Sequence, residues 1–255
     1  MDTYNYTRSC WDTVLPDGSA FCHWGGKDIS YRVLRELNLK EGDRLCDLCC
    51  GEAGTLGLIK SREIKRYGVD ISCSALQRAY EREQDNSSGL HLIPEDVRCM
   101  PFADEFFTKL ISQDADVFLC PEKQPIMGEI FRVASPGALY IMQTYAATTK
   151  APSEVIDLTS SHLRSLGYSH TALLIAEELP ALIEGAGFSV ERFSSVHDVY
   201  VRDNARMTQR LHQNWDCLHK QNERESELLL KLLEWERFLF REKYWTGVII
   251  LARKK

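Results

Sequence analysis

The most informative stretch for predicting the architecture is residues 44–54, RLCDLCCGEAG. Its first half is a short apolar run of the kind that forms a buried strand, and its second half is a turn of small residues. Asp47 lies near the expected end of this strand, and ligands of open α/β sheets bind outside the carboxyl ends of the strands. Because Gly51, Ala53 and Gly54 carry little or no side chain, the turn lets a ligand approach the backbone closely.

Two features of opposite charge flank this turn. Residues from Thr55 onward are predicted to form a helix, whose free N–H groups and positive dipole end suit an anionic group. The Asp47 carboxylate, in contrast, repels a pyrophosphate and attracts an ammonium. A ligand that carries both an amine and a carboxylate fits the two features together.

Around this stretch, apolar runs alternate with amphipathic stretches between residues 30 and 145. This alternation is typical of βα units on a parallel sheet, so the predicted fold class is α/β. The predicted strands are 44–49, 66–70, 90–94, 109–113, 138–144, 188–193 and 245–252. The predicted helices are 30–39, the segment from Thr55, 74–83, 121–133 and 171–185, with a turn at 135–137.

The chain is predicted to be a single domain with three parts, namely an N-terminal lid (1–29), a core (30–195 and 244–255) and a helical cap insertion (196–243). The cap segment is too long for an ordinary loop and too apolar for a linker. Aromatic residues crowd the lid, and aromatic faces stabilise cations by ~1–2 kcal/mol when desolvated. Ordinary packing against the core explains these residues equally well. They are Tyr4, Tyr6, Trp11, Phe21, Trp24 and Tyr31.

Three aspartates follow three successive predicted strands. Asp47 can meet an amine, and Asp70 can accept hydrogen bonds from two ribose hydroxyls. Asp96 can accept from an exocyclic amine while a neighbouring backbone N–H meets a ring nitrogen. A single aspartate at a strand end is usually a surface turn residue. The three in this order, however, describe one ligand with amino-acid, ribose and adenine parts.

Four stretches carry a family resemblance, namely RLCDLCCGEAG (44–54), YGVDIS (67–72), PEDVRCMPFADEFFTKLISQDA (94–115) and EIFRVASPGALYIM (129–142). They resemble the class I S-adenosylmethionine-dependent methyltransferases, and within these the small-molecule N-methyltransferases of the sarcosine/dimethylglycine and phosphoethanolamine type. The resemblance implies a Rossmann-like sheet of seven strands with helices on both faces. It also implies S-adenosylmethionine as cofactor and in-line transfer of its methyl group to a small acceptor, with an amine nitrogen as the first expectation.

The resemblance implies a place for each part of the cofactor. Asp47 and Gly51 would line the methionine part, and Asp70 would bind the ribose. The other implied contacts are Ile71, Asp96 and the Val97 backbone with adenine, Gln113 with the sulfonium, and Trp24 and Gly25 with the methionine end.

The acceptor would lie beside Asp114, which follows the fourth strand. Asp114 is the candidate catalytic residue, orienting or deprotonating a cationic amine, although a helix cap or an acid behind the site explains it equally well. Trp24 is a candidate substrate contact as well. His197 and Tyr200 follow the sixth strand, where a cap can meet the substrate.

The sequence departs from the family pattern at three places. Cys49 and Ala53 stand where the family usually has Gly, which predicts a slightly different turn. Phe118 stands where several relatives have a His, which removes the basis for deprotonation by a His at that position.

Composition limits the function further. The net charge of −6 argues against a general nucleic-acid binder. The nine cysteines are expected to be reduced thiols, and the Cys46–Cys49 spacing lacks a second ligand pair, so no metal is expected. The N-terminal sequence resembles no signal peptide and no apolar run is long enough to span a bilayer, so we expect no membrane partner and a cytoplasmic location.

Three other functions remain open at this point. A C- or O-methyltransferase acting on an aromatic natural product uses the same fold. A nicotinamide-dependent oxidoreductase would need a G-x-G-x-x-G turn instead of one led by an acid. A non-catalytic cofactor-binding or scaffold protein is the third. The sequence indicates neither the acceptor nor the oligomeric state.

Overall fold

A single sheet organises the protein, whose computed structural model describes residues 13–15, 17–83, 89–165 and 172–255. In these residues the strands are β1 (Arg44–Leu48), β2 (Lys65–Val69), β3 (Leu90–Ile93), β4 (Phe107–Gln113), β5 (Ala134–Ala147), β6 (Phe188–Ser195) and β7 (Trp245–Lys254). Their order is β3-β2-β1-β4-β5-β7-β6. The first five pair in parallel, and β7 runs antiparallel between β5 and β6. The predicted class and number of strands are confirmed.

Helices follow most strands of this sheet. They are α1 (Gly26–Leu37), α2 (Gly54–Gly57), α3 (Cys73–Glu83), α4 (Lys123–Val133), α5 (Ser153–Ser165), α6 (Leu179–Glu184), α7 (His197–Gln213), α8 (Trp215–Gln221) and α9 (Glu223–Arg241). Short 3₁₀ turns form at Ser19–Phe21, Asp116–Leu119 and Ala176–Glu178.

Both faces of the sheet are covered. Successive strand residues point to opposite faces, and Leu110 and Ile111 of β4 accordingly belong to two different buried apolar clusters. One cluster includes α1 and the helices α7 to α9, and the other includes α4 and α6. Burial on both faces explains why the strands read as continuous apolar runs.

The helix predicted from Thr55 onward, for which no end was predicted, is short. It ends after one turn at Gly57. The Arg66 guanidinium donates to the carbonyl oxygens of Leu56 and Ile59 at 3.1 and 3.0 Å. These carbonyl groups therefore find a side-chain partner in place of the next turn of a helix.

Three further segments differ from their predictions. The helix predicted at 171–185 begins only at Leu179, because Ile175 pairs with Ala147 beside the sheet and Pro180 lies in the first helical turn. The turn predicted at 135–137 lies within β5, whose pairing with β4 shifts register there. Helix α5 had no prediction.

Helices α7 to α9 pack on one end of the sheet beside β7. The Tyr200 ring of α7 lies so close to Gly247 of β7 that a Cβ at Gly247 would be 2.2 Å from it. This contact brings the Tyr200 hydroxyl to the carboxyl ends of β4 and β5. Among the described residues, none of the helices combines the length and apolar character needed to cross a bilayer.

The lid, core and cap division stays a prediction. Of the aromatic residues assigned to the lid, Tyr4, Tyr6 and Trp11 lie outside the described residues. Phe21 and Trp24 are buried, whereas Tyr31 is exposed.

Candidate functional site

A cleft opens at the carboxyl ends of β1 and β4. It is lined by the turn after β1, by the end of β4 and by residues 19–23, through Asp47, Gly51, Thr55, Gln113 and His23. Gly54 lies so close to this N-terminal segment that a Cβ there would be 2.1 Å from the Ala20 carbonyl oxygen. Residues 19–23 therefore cover the cleft, and their position requires a glycine beneath them.

Asp47 is buried at the wall of this cleft. Its side chain is 4% exposed, and in the described part of the chain no donor reaches its carboxylate. Burial and the nearby charge of Asp70 raise the pKa of Asp47 well above its usual range. A cation bound in the cleft would offset both effects, so this carboxyl group suits an ammonium.

Asp70 at the end of β2 organises the same turn. Its carboxylate accepts from the backbone N–H groups of Gly51 at 2.7 Å and Ser72 at 2.8 Å. The backbone N–H of Cys50 donates to the Val69 carbonyl oxygen at 3.1 Å. The β1 turn is thus tied to β2, and the predicted ribose acid lies next to the predicted methionine site.

The residues predicted to contact adenine do not line this cleft. Ile71 is 72% exposed, which leaves its apolar side chain without a cover. Both oxygens of Asp96 accept from the Arg98 guanidinium, and this bond lowers the pKa of Asp96. The Val97 side chain is buried. The adenine contacts of these three residues stay predictions.

The two departures from the family's glycines share one backbone feature. Cys49 and Ala53 both adopt left-handed conformations, with φ of 57° and 54°. Glycine adopts this conformation without strain, whereas other residues lose about 1–2 kcal/mol. Both positions thus have the positive φ that glycine favours, and the slightly different turn stays a prediction.

A buried hydrogen-bond network connects the cleft to helix α7. The Thr55 hydroxyl donates to Gln113 Oε1 at 2.6 Å, and Gln113 Nε2 donates to Gln143 Oε1 at 2.8 Å. The Gln143 amide nitrogen lies 2.7 Å from the Tyr200 hydroxyl and 3.1 Å from the Trp24 carbonyl oxygen. The predicted sulfonium residue, Gln113, is therefore held from both sides.

The network continues under the N-terminal segment. The Ser30 hydroxyl lies 2.8 Å from the Thr55 hydroxyl and 3.1 Å from His23 Nε2. Burial lowers the pKa of His23 to about 4. The imidazole is therefore neutral near neutral pH, with Nδ1 directed at the Trp24 carbonyl oxygen.

Asp114 is the centre of the side of the site where the acceptor is predicted to bind, which we call the acceptor side. Its carboxylate accepts from the backbone N–H groups of Trp24 at 2.8 Å and Tyr145 at 3.1 Å. It also accepts from the Gln143 amide at 3.0 Å and the Tyr200 hydroxyl at 2.9 Å. Burial and the Asp114 charge raise the pKa of Tyr200 well above its usual range, so the phenol keeps its proton and donates it. Four donors surround both oxygens, which favours a positioning role for Asp114.

Aromatic rings surround this acid. Trp24 stacks on Tyr200 with ring centroids 5.6 Å apart, and the Phe240 ring meets Trp24 edge-on at 5.7 Å. His197 contacts Phe240 at 6.2 Å and is outside the hydrogen-bond network in the described residues. The structure thus brings Trp24, Tyr200 and Asp114 together and leaves His197 at the edge.

Gly25 makes a backbone contact with helix α7. Its backbone N–H donates to Asp203 Oδ2 of α7 at 2.7 Å. A side chain at Gly25 would collide with Ile29, since a Cβ would lie 2.3 Å from it. Gly25 therefore joins the N-terminal segment to α7, and its predicted contact with the cofactor is untested.

Sequence reasoning missed His23, Thr55 and Gln143 of the site, as well as Glu236 of α9, which lies within range of the Asp114 charge. Gln143 is a polar residue inside the apolar run ALYIMQT, and Glu236 is an acid on the apolar face of α9. Gln143 and Glu236 each occupy a position at which the hydrophobic period of the strand or helix predicts an apolar residue. Such a residue either serves a network or a ligand, and only the tertiary contacts distinguish these roles.

The sheet order, the acid-led turn after β1 and the acid that ends β2 define an α/β domain with a ligand cleft at its topological switch point. A family model described as a methyltransferase domain matches residues 39–212, and the chain belongs to this family. The predicted family is confirmed.

Curated relatives with other acceptors match the chain. A phosphoethanolamine N-methyltransferase of Triticum aestivum is 22% identical over 187 residues, which is 73% of this chain and 34% of the relative. A 24-methylenesterol C-methyltransferase of Oryza sativa subsp. japonica is 27% identical over 164 residues, 62% of this chain and 45% of the relative. The chain thus spans less than half the length of either relative.

Solved structures share the fold at low sequence identity. A sarcosine dimethylglycine methyltransferase of Galdieria sulphuraria, described as putative, has a TM-score of 0.79 at 17% identity, covering 89% of this chain and 85% of the other. A Haemonchus contortus phosphoethanolamine methyltransferase, solved with phosphomonomethylethanolamine and S-adenosylhomocysteine, has a TM-score of 0.81 at 17% identity. That alignment covers 96% of this chain and 56% of the other.

Proposed function

We propose that the protein transfers a methyl group from S-adenosylmethionine to an amine nitrogen of a small molecule. The observation that carries the cofactor assignment is the buried Asp47 carboxyl group, which faces the cleft and has no hydrogen-bond donor among the described residues. The family, the sheet order and the position of the cleft support the same assignment.

The residues around the cleft fit this cofactor. Asp47 would bind the ammonium of its methionine part, and Asp70 beside it would accept from the ribose. Gln113 is held by Thr55 and Gln143 at the position predicted for the sulfonium. When bound, the cofactor supplies a methyl group that is already activated by its positive sulfur. The chain needs to orient the acceptor and to exclude water.

Two features of the acceptor side support an amine. The rings of Trp24, Tyr200 and Phe240 form a buried cluster near Asp114, and aromatic rings stabilise ammonium groups when water is excluded. Asp114 lies next to Trp24 and Tyr200 and adds a negative charge. We propose that Asp114 holds these two residues in place, since its oxygens already accept from four donors.

A second candidate is methyl transfer to carbon or oxygen. The sterol C-methyltransferase among the relatives favours it, and aromatic walls bind an apolar acceptor equally well. Methyl transfer from a cofactor with a deuterated methyl group, followed by mass spectrometry of the product, distinguishes the two candidates.

Titration calorimetry with S-adenosylmethionine tests the cofactor assignment. We expect wild-type protein to bind and D47N to lose at least about tenfold in affinity, because a charged hydrogen bond is worth ~1.5–3 kcal/mol. D157N, which changes an exposed aspartate of α5, is the matched control and should bind as the wild type does. Equal affinity of D47N and wild type would overturn the assignment.

A further inference from the structure

Helix α9 carries an acid on the face that packs against the rest of the protein. The buried residues Leu229, Leu233 and Phe240 of α9 follow the spacing of one helical face. Glu236 lies on this same face, three residues after Leu233 and four before Phe240. An apolar residue is expected there, and a carboxyl group at such a position is costly unless it has a partner.

Glu236 lacks such a partner for one of its oxygens. The residue as a whole is half-buried, but its Oε2 atom is out of contact with solvent and has no hydrogen bond among the described residues. The Asn204 side chain of α7, whose amide donates to the Leu233 carbonyl oxygen at 3.0 Å, lies beside the carboxyl group, and no lysine or arginine of the described chain pairs with it. Burial and the charge of Asp114 raise the pKa of Glu236 to about 8.

The surroundings of Glu236 combine negative charge with aromatic surface. Asp114 is near enough for its charge to act on Glu236. Phe240 lies one helical turn further along α9, and its ring contacts both Trp24 and Tyr200. A carboxyl group with an oxygen that lacks a hydrogen bond, within range of a second carboxylate and one helical turn from an aromatic cluster, is an environment suited to an alkylated ammonium.

We propose that Glu236 binds the methyl acceptor in its ammonium form, which gives up a proton to solvent before the nitrogen can accept a methyl group, so that helix α9 sets the preference of the enzyme for a cationic substrate. This inference rests on the proposed function, because it assumes that the acceptor is an amine. In this proposal the two acids have different roles. Asp114 positions Trp24 and Tyr200, and Glu236 uses its free oxygen to contact the substrate.

Binding of a cation and of its neutral isostere tests the proposal without turnover. The probes are choline and 3,3-dimethylbutan-1-ol, which differ only in nitrogen versus carbon, titrated by calorimetry into protein saturated with S-adenosylhomocysteine. We expect wild-type protein to bind choline at least tenfold more tightly than the alcohol. E236Q should lose this tenfold preference and keep its affinity for S-adenosylhomocysteine. E234Q, which changes an exposed glutamate of the same helix, should behave as the wild type does.

Other outcomes overturn the proposal. It is wrong if wild-type protein does not prefer choline, or if E236Q keeps the preference. Methylation assays with phosphoethanolamine, sarcosine and dimethylglycine separate this failure from failure of the proposed function. If wild type methylates an amine and E236Q has an unchanged KM for it, only the role of Glu236 falls. If wild type methylates only carbon or oxygen of neutral acceptors, the proposed function falls as well.

Discussion

The two sides of the site are built differently. The cofactor side is a turn between neighbouring strands, held by backbone N–H groups that donate to the carboxylate of Asp70. The acceptor side is held by side chains from distant parts of the chain, with Trp24, Gln143 and Tyr200 meeting at Asp114. We therefore expect substitutions at distant residues to change cofactor affinity little. On the acceptor side, in contrast, a shift of any one element should weaken acceptor binding.

We expect the largest effect from replacing Gln143, the amide at the centre of the hydrogen-bond network. Gln143→Leu removes buried hydrogen bonds to Gln113, Tyr200 and Asp114, and it leaves the Asp114 carboxylate short of a donor. We expect unfolding stability to fall by about 3–5 kcal/mol, measured by urea denaturation. At temperatures where the variant stays folded, cofactor affinity should change less than acceptor KM. A larger change in cofactor affinity than in acceptor KM would contradict the proposed difference between the two sides.

We expect the next largest effect on the free energy of unfolding from the titration of Glu236. Its pKa of about 8 in the folded protein lies above the ordinary value of 4.5, so folding binds a proton more tightly. Stability from this group is complete below pH 4.5 and is lost as the pH rises through about 8. The groups that face it from other elements are Asp114 and Asn204.

The matched variant isolates this titration. E236Q should gain stability relative to wild type by about 4 kcal/mol between about pH 5 and about pH 9. Asp47 shifts stability in the same direction, but it is present in both proteins and cancels from the difference. Denaturation curves at the two pH values measure this effect. A constant difference would mean that Glu236 is ionised in the folded protein throughout.

A smaller effect is expected from the Tyr200 hydroxyl. Tyr200→Phe keeps the ring against Trp24 and Gly247 but removes the donor to Asp114. We expect a loss of about 1 kcal/mol in stability and a similar loss in acceptor kcat/KM. Tyr31→Phe, at an exposed position on α1, is the control. A larger loss in cofactor affinity than in acceptor kcat/KM would show that the two sides are energetically coupled.

The difference between the sides also explains what sequence could predict. The cofactor side is local, because an apolar run, a small-residue turn and an acid at fixed offsets describe it completely. Asp47 and the small-residue turn were predicted from the pattern, the roles of Gly51 and Gln113 were implied by the family resemblance, and all three residues line the cleft. The length of α2 was missed, since the carbonyl groups that end it bond to Arg66 of the next strand.

The acceptor side could not be read in the same way. Asp114 and Tyr200 were identified, but their bond joins residues 86 positions apart and no spacing encodes it. Gln143 and Glu236 each interrupt an apolar pattern, which marks them as unusual without saying what they contact. Their roles follow only from the packing of α7 and α9 on the sheet.

A crystal structure of the protein with S-adenosylhomocysteine would show whether Asp47 and Asp70 hold the cofactor. We expect the ligand amine within about 3 Å of the Asp47 carboxylate and the ribose hydroxyls on Asp70. A ligand held by other groups, with Asp47 and Asp70 both uncontacted, would contradict this expectation.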